Sequence, residues 1–441
     1  MASNFANTPK AHAVAVAHKS YAAARPKSEA QAIQAAKVLP AGSTRSVLDF
    51  DPFPFRVAHA SGAQLYDVDG HQYVDMLGDY TAGLLGHNPP IVANAVRAVL
   101  DRGWSLGALA SDEHRLAELI TGRFPSLEQV RFTNSGTEAN LMAINLARHL
   151  TGRDSVMVFN GAYHGGLLYF GDAGQPLRAP FSFIMADYND LESVRHAFEQ
   201  AGGKIGCVLV EPMMGAAGCI VAKPGFLAGL RQLCDEHGAK LIFDEVMTSR
   251  MSAGGAQLKL GVIPDLTTLG KYLGGGMTFG AFGGCADDMA AFDPKRGGIL
   301  THGGTFNNNA MTMTAGVAAI QEMLAPSVLD DLFDQGEQLR MRISEVVRGR
   351  GMTVSGWGSL MNIHCVDADV SSPRDAARAD QLAAELLFHG LLKRGYYMAR
   401  RGFVAVSLAL TTQDVDGFVD ALMDVVDEMK TNNLLPNVAK D

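Results

Sequence analysis

Cysteine is scarce: a chain of 441 residues has five, Cys207, Cys219, Cys234, Cys285 and Cys365. Their odd number and wide spacing include no C-x-x-C pair and no zinc-like cluster with histidine. That excludes a disulfide scaffold and predicts reduced thiols in a reducing compartment, the cytoplasm. Charge is also sparse, at 19% of residues with a net charge of −9 and no block of Lys or Arg. The electrostatic term that binds phosphate backbones is therefore missing, and nucleic acid is not an expected partner. No apolar run reaches the roughly 20 residues needed to cross a bilayer, because stretches such as 205–231 are broken by Glu211, Lys223 and several glycines. Repeats, low-complexity tracts and long Gly/Ser linkers are lacking, which predicts lobes packed together rather than tethered. The first 28 residues carry Lys10, Lys19, Arg25 and Lys27 without an acid. They have no adequate secretory h-region, so a mobile or docking arm is expected.

What is present is a globular composition, 47% apolar, in a chain long enough for two or three lobes. From about Val130 to Gly275 short apolar runs alternate with helical patterns: VRFTN, SVMVF, FSFIMA, CVLVEP, KLIFDEV and DLTTLGK. This rhythm predicts an α/β fold, a mostly parallel sheet with crossover helices, whose ligands sit beyond the carboxyl ends of the strands. Residues 62–75 alternate apolar and polar around Asp69-Gly70, a hairpin signal. Beyond Pro326, long amphipathic stretches joined to SLMNIHCV and FVAVSLAL predict a smaller α+β lobe. The resulting division is an arm plus a segment of the small domain (1–75), a large domain (76–330) and a C-terminal small domain (331–441).

The strand ends carry the chemistry. KLIFD ends in Asp244, and DLTTLG runs into Lys271 among Gly270, Gly274, Gly275 and Gly276. A pyridoxal-phosphate (PLP) enzyme needs a lysine that forms an imine with the cofactor aldehyde. It also needs an acid that keeps the pyridine nitrogen protonated. Taken singly, the two residues are an ordinary helix-start aspartate and a surface lysine. A second strand runs into Asn134-Ser135-Gly136-Thr137-Glu138 and a helix, a ready anion site that is also an ordinary capping box. Tyr163 and His164 follow SVMVF, where an aromatic side chain can stack on a ring or simply fill a core. Glu211 ends CVLV, at a position where an acid is uncommon unless paired or functional. THGGTFNNN offers Thr305 and Asn307 to Asn309 as phosphate donors or as a polar loop. Four strand ends that each supply what one PLP site requires make coincidence improbable.

As a set, NSGTEA, YHGG, VEP, FDEVMTSR, LGKYLGGG and GGTFNNN resemble the class III aminotransferases of PLP fold type I, through most of the chain. DEVMT, GGTFNNN and GSTRSV resemble glutamate-1-semialdehyde aminomutase and, better, the β-amino-acid (β-phenylalanine) aminotransferases. The resemblance implies Lys271 as cofactor-bearing lysine and proton shuttle, Asp244 on the pyridine nitrogen, and Tyr163 and Val246 on opposite ring faces. Ser135, Gly136 and Thr137 would bind phosphate, with Glu211 and Met247 also against the cofactor. Thr305 would complete the phosphate site across the boundary of a homodimer with shared active sites. Met247, Ser249-Arg250 and Thr278 depart from the ω-aminotransferase and aminomutase patterns and lean toward the β-amino-acid group.

A transaminase must hold donor and acceptor carboxylates in one pocket, and planar guanidinium suits that task. Arg45 matches the carboxylate-binding arginine of these relatives, and Arg401 matches the acceptor-binding position, with Arg400 beside it as the other candidate. The expected activity is ping-pong transfer of an amino group from a β-amino acid to 2-oxoglutarate or pyruvate, without a metal. An aminomutase and an inactive scaffold on the same fold are the rival readings.

Overall fold

Continuous apolar runs, rather than alternating ones, mark strands covered on both faces. The computed structural model, which describes residues 8–171 and 177–436, bears this out. Seven strands form the central sheet: β1 (Gln129–Thr133), β2 (Ser155–Phe159), β3 (Ser182–Ala186), β4 (Ile205–Val210), β5 (Lys240–Asp244), β6 (Leu266–Gly270) and β7 (Gly280–Gly284). Their order is β1-β7-β6-β5-β4-β2-β3. The pairings β3-β2, β2-β4, β4-β5 and β5-β6 are parallel, whereas β7 runs antiparallel to both of its neighbours. Six strands therefore point the same way and deliver their carboxyl ends to one edge. Every residue of β2, β4, β6 and β7 is buried.

The six apolar runs read from the sequence are six of these strands. The seventh, GAFGG, was not anticipated, because glycine is depleted in strands. Its glycines answer a steric demand: a Cβ at Gly280 would lie 2.2 Å from the Ser135 carbonyl oxygen and 2.3 Å from Thr133 Oγ1. The tightness of this crossing sets Ser135 at the sheet edge.

Strands Val57–Ser61, Gln64–Asp67 and Gln72–Asp75 form the expected antiparallel unit, with Gly70 in its turn at φ +95°. Tyr396–Tyr397 adds to it in parallel, so the two ends of the chain share one sheet. A further sheet, 353–357, 360–364 and 403–405, packs with helices Pro326–Val347, Gln381–Lys393 and Thr412–Thr431. The N-terminal arm is ordered as helices Pro9–Ala23 and Pro26–Ala35, each with proline in its first turn. The first lies along Gln381–Lys393, joined by a Lys10 to Asp380 ion pair of 2.5 Å, so the arm docks. The tips of the arm (1–7) and of the C-terminal segment (437–441) fall outside the described residues. Among those described, no helix is long and apolar enough to cross a membrane, and the five cysteines are free.

Candidate active site

Asp244 ends β5 with its carboxylate buried and fully oriented. Its Oδ2 accepts from His164 Nδ1 and from Asn140 Nδ2, both at 2.8 Å, and its Oδ1 accepts from the Val246 amide at 3.0 Å. Asn140 also donates to the His164 carbonyl at 3.0 Å and accepts from Thr268 Oγ1 at 2.6 Å, tying three elements to the acid. The Nε2 of His164 is buried without a hydrogen-bond partner among the described residues.

Lys271 follows β6 in the left-handed region, at φ +58°. Its Nζ donates to the Tyr80 carbonyl at 2.5 Å. Burial pulls the amine down to about 8 against the opposing pull of Asp244, Asp79 and Glu211, and Arg401 adds to the lowering. Tyr80 belongs to a segment, Gly78 to Thr81, in which all four residues have positive φ: 54°, 44°, 51° and 81°. Three of them are not glycine, a costly conformation that surrounding structure must enforce. It turns the Tyr80 carbonyl toward Lys271.

A cradle surrounds the start of helix Gly136–Thr151. A Cβ on Gly136 would lie 2.7 Å from Val246 Cγ2, one on Gly270 3.2 Å from Val246 Cγ1, and one on Gly165 2.0 Å from Thr137 Oγ1. Val246 is thus wedged between two bare stretches of backbone, and the YHGG turn lies directly on Thr137. The Ser135 hydroxyl accepts from the Glu138 amide at 3.2 Å, so it serves as the helix cap. Both readings of this segment meet here, because the remaining amides of the first turn stay available for an anion.

Tyr163 leaves 43% of its surface open, and burial of the remainder raises its phenol. Glu211 is buried, its Oε1 accepting from the Tyr163 amide at 3.1 Å and its Oε2 from the Gly215 amide at 2.9 Å. It sets the Tyr163 loop, and burial lifts its carboxyl to about 7. Met247 packs in the cluster that contains Leu77, Met251 and Phe403, and a Cβ on Gly215 would lie 2.3 Å from its sulfur.

The two arginines lie near one ring. The Arg45 guanidinium lies 6.0 Å and that of Arg401 5.5 Å from the Tyr80 ring centre, with Arg45 also paired to Asp79 at 2.6 Å. Arg401 donates to the Ala216 carbonyl at 3.1 Å, whereas Arg400 turns away to Glu385 at 3.1 Å. Thr305 is not brought into the group: it is exposed and has no hydrogen bond among the described residues. Its loop reaches the site through Asn307, which accepts from Asn134 at 2.9 Å. Asp79, Tyr80 and Asn140 escaped the sequence reading. The first two sit in a turn with no sequence signal, and an asparagine inside a helix looks like any other.

A depressed amine, an oriented acid, a glycine-lined helix start and two guanidiniums fit a flat phosphate-bearing aldehyde with a carboxylate substrate. The comparisons agree. A profile of the family described as Aminotransferase class-III matches residues 48–426. A β-phenylalanine transaminase of Variovorax paradoxus is 48% identical over 412 residues, spanning 93% of this chain and 95% of its own. A solved β-phenylalanine aminotransferase from Variovorax paradoxus superposes with a TM-score of 0.95 at 47% identity, covering 98% of this chain and 100% of that one. A glutamate-1-semialdehyde aminomutase from Pseudomonas aeruginosa PAO1 has a TM-score of 0.86 at 26% identity, with 96% and 98% covered.

Proposed function

Because the chain belongs to the class III aminotransferases, PLP-dependent transaminases of fold type I, we propose that it moves an amino group from a β-amino acid such as β-phenylalanine to 2-oxoglutarate or pyruvate. Its surroundings would be cytoplasmic. The observation that carries this reading is the pair of guanidiniums beside the Tyr80 ring, whose residue's main-chain carbonyl accepts from Lys271. In a two-step exchange through one pocket, a carboxylate must be held in each half, and its position relative to the amine differs between a β-amino acid and a 2-oxo acid. Two anchors meet that need where one would not.

When bound, PLP supplies an aldehyde that takes up the amino group and a ring that withdraws electrons from the bond being broken. Lys271 would hold it through Nζ and, once released, take the proton from the substrate carbon, a task for which an amine near 8 is suited. Asp244, kept aimed by His164, Asn140 and the Val246 amide, would hold the proton on the pyridine nitrogen. Tyr163 and Val246 would cover the two ring faces, with Met247 beside them. The first-turn amides with Ser135, Gly136 and Thr137 would hold the phosphate. Glu211 acts on the cofactor pocket through the Tyr163 backbone. Arg45 would take the donor carboxylate and Arg401 that of the acceptor.

The same reading includes a homodimer with Thr305 completing the partner's phosphate site. Exposed Phe306 beside it, at 63%, and Leu109, at 84%, support a covering copy. It also keeps the division at 75 and 330, supported by the shared sheet of Gln72–Asp75 and Tyr396–Tyr397.

The test is product analysis with the holoenzyme. The expected result is 3-oxo-3-phenylpropanoate from β-phenylalanine, seen as such or as the acetophenone left when this β-keto acid loses CO2, matched by glutamate or alanine from the oxo acid. Turnover of a five-carbon amino-aldehyde without any acceptor, and none of β-phenylalanine, would make it an aminomutase instead.

A further inference from the structure

Where the N-terminal helix docks, away from the site just described, three side chains converge. Glu385 and His389 lie one turn apart on helix Gln381–Lys393, and His18 crosses from helix Pro9–Ala23. His18 Nε2 is 3.0 Å and His389 Nε2 3.2 Å from the same oxygen, Glu385 Oε1, and the three atoms lie within 4.8 Å of one another. The second Glu385 oxygen accepts from Arg400 at 3.1 Å, and the Asp51 carbonyl stands 3.1 Å from His389 Nε2. Glu385 and His389 are buried, and His18 is partly so.

We infer that this cluster binds a divalent transition ion of the zinc type through His18 Nε2, His389 Nε2 and Glu385 Oε1, clamping the N-terminal helix to the C-terminal lobe. Tetrahedral bonds of about 2.0–2.2 Å place ligand atoms roughly 3.3–3.5 Å apart, so the two imidazole nitrogens, at 3.0 and 3.2 Å from Glu385 Oε1, need to draw back from it by only a few tenths of an ångström. Two imidazoles and one carboxylate suit zinc and its neighbours rather than magnesium or calcium, which take oxygen. Glu385 is ready to ligate. Its Oε1 already faces both imidazole nitrogens, and its Oε2 is held by Arg400.

Each imidazole now pointing an Nε2 proton at Glu385 would move that proton to Nδ1 and turn its lone pair to the ion, with no change in net charge. Arg400, holding the other carboxylate oxygen, fixes Glu385 as a one-oxygen ligand. The rings of Tyr21, Phe388 and Phe50, at 5.4, 5.1 and 6.3 Å from that of His389, close the cluster on its inner side. The fourth position falls to water or the Asp51 carbonyl. The Arg400 charge works against the ion, and the Lys10 to Asp380 pair neutralises itself one turn away. The ion would act on the scaffold, not on the transfer chemistry, which needs none.

The test uses full-length PLP-loaded enzyme stripped with a chelator and titrated with Zn²⁺ alone by calorimetry, with thermal melting alongside. Expected are one ion per chain, a raised melting temperature, and tetrahedral ligand-field bands when Co²⁺ replaces Zn²⁺. His18→Ala and Glu385→Gln should each weaken binding by at least about tenfold. His12→Ala, exposed on the same helix, should bind as the parent does. Absence of stoichiometric uptake would leave the three side chains as a hydrogen-bonded triad and overturn the inference. So would uptake that persists unchanged in His18→Ala, a variant that keeps the Glu385 to His389 contact and the helix packing.

Discussion

The Lys271 ammonium donates to the main-chain carbonyl of Tyr80, 2.5 Å away. In the role proposed for it, bonding to the cofactor, leaving it and returning, Lys271 would have a resting partner from a segment remote in sequence. That partner is backbone, so no side-chain substitution removes it directly. The charge of Lys271 is nonetheless opposed by burial, and the balance places its amine near 8.

The first expectation concerns pH. Only the neutral amine attacks an aldehyde, so PLP capture by the cofactor-free protein should quicken about tenfold per pH unit below 8 and level off above it. An unfolded lysine keeps a pKa near 10.5. Between about 8 and 10.5 the unfolded chain therefore binds more protons, and the Lys271 contribution to stability rises with pH. Rapid-mixing absorbance across pH 6–10 measures the capture. A rate still climbing steeply at pH 10 would refute the depressed amine. Lys271→Ala should abolish turnover and leave no cofactor fixed to the chain after borohydride reduction.

Arg400 and Arg401 should separate cleanly. Losing a charge-assisted hydrogen-bond partner costs about 1.5–3 kcal/mol, so Arg401→Ala should raise KM for the 2-oxo acid by roughly 10–100-fold. Arg400→Ala, whose side chain is spent on Glu385, should stay within about twofold of the parent. Steady-state kinetics with the oxo acid varied decides this, and equal effects would show that the acceptor site is misassigned.

His164, bonded to Asp244, would act as a positioning residue. Its loss removes one of three bonds that aim the acid, and His164→Ala should lower kcat by about tenfold on the scale of a hydrogen bond to a charged group. The absorbance of the bound cofactor should become more dependent on pH in the same variant. A structural role alone would lower the melting temperature and leave that spectrum unchanged.

Gly280→Ala should destabilise the fold by about 1–3 kcal/mol, since the new carbon would lie 2.2 Å from the Ser135 carbonyl oxygen. Because Ser135 caps the helix at the cradle, PLP affinity should fall with it. Denaturant melts and cofactor titration of one sample test both, and intact stability would mean that β7 can shift at little cost.

Much of this was legible in the sequence, wherever one local signal settles one residue. β2 and β4 are nearly continuous apolar runs, and the residue that ends each of the six co-directional strands lies at the carboxyl edge by topology alone. Asp244 and Lys271 could be placed that way. β7 could not, because its glycines are dictated by what lies across from them, a contact between positions 135 and 280. The same holds for Asn140, whose partners come from three other elements, and for Glu211, where the sequence pointed to an unusual acid and the structure shows two backbone amides as its partners. Ser249-Arg250, noticed as a departure, proves to be packing: Arg250 is fully buried and donates to Ser359 Oγ and the Val406 carbonyl.

The Tyr80 ring, shared by Arg45 and Arg401 and stacked on Phe403 at 5.9 Å, has a consequence for how such an enzyme changes over generations. An arginine anchored on its own could be retuned for a new donor while the acceptor preference stayed fixed. Here both lean on one aromatic plate held by a left-handed backbone, so with the carboxylate roles proposed for them a substitution that shifts the plate would move both preferences together. Selection for a new donor would then carry the acceptor along, and the two specificities would be inherited as a single trait.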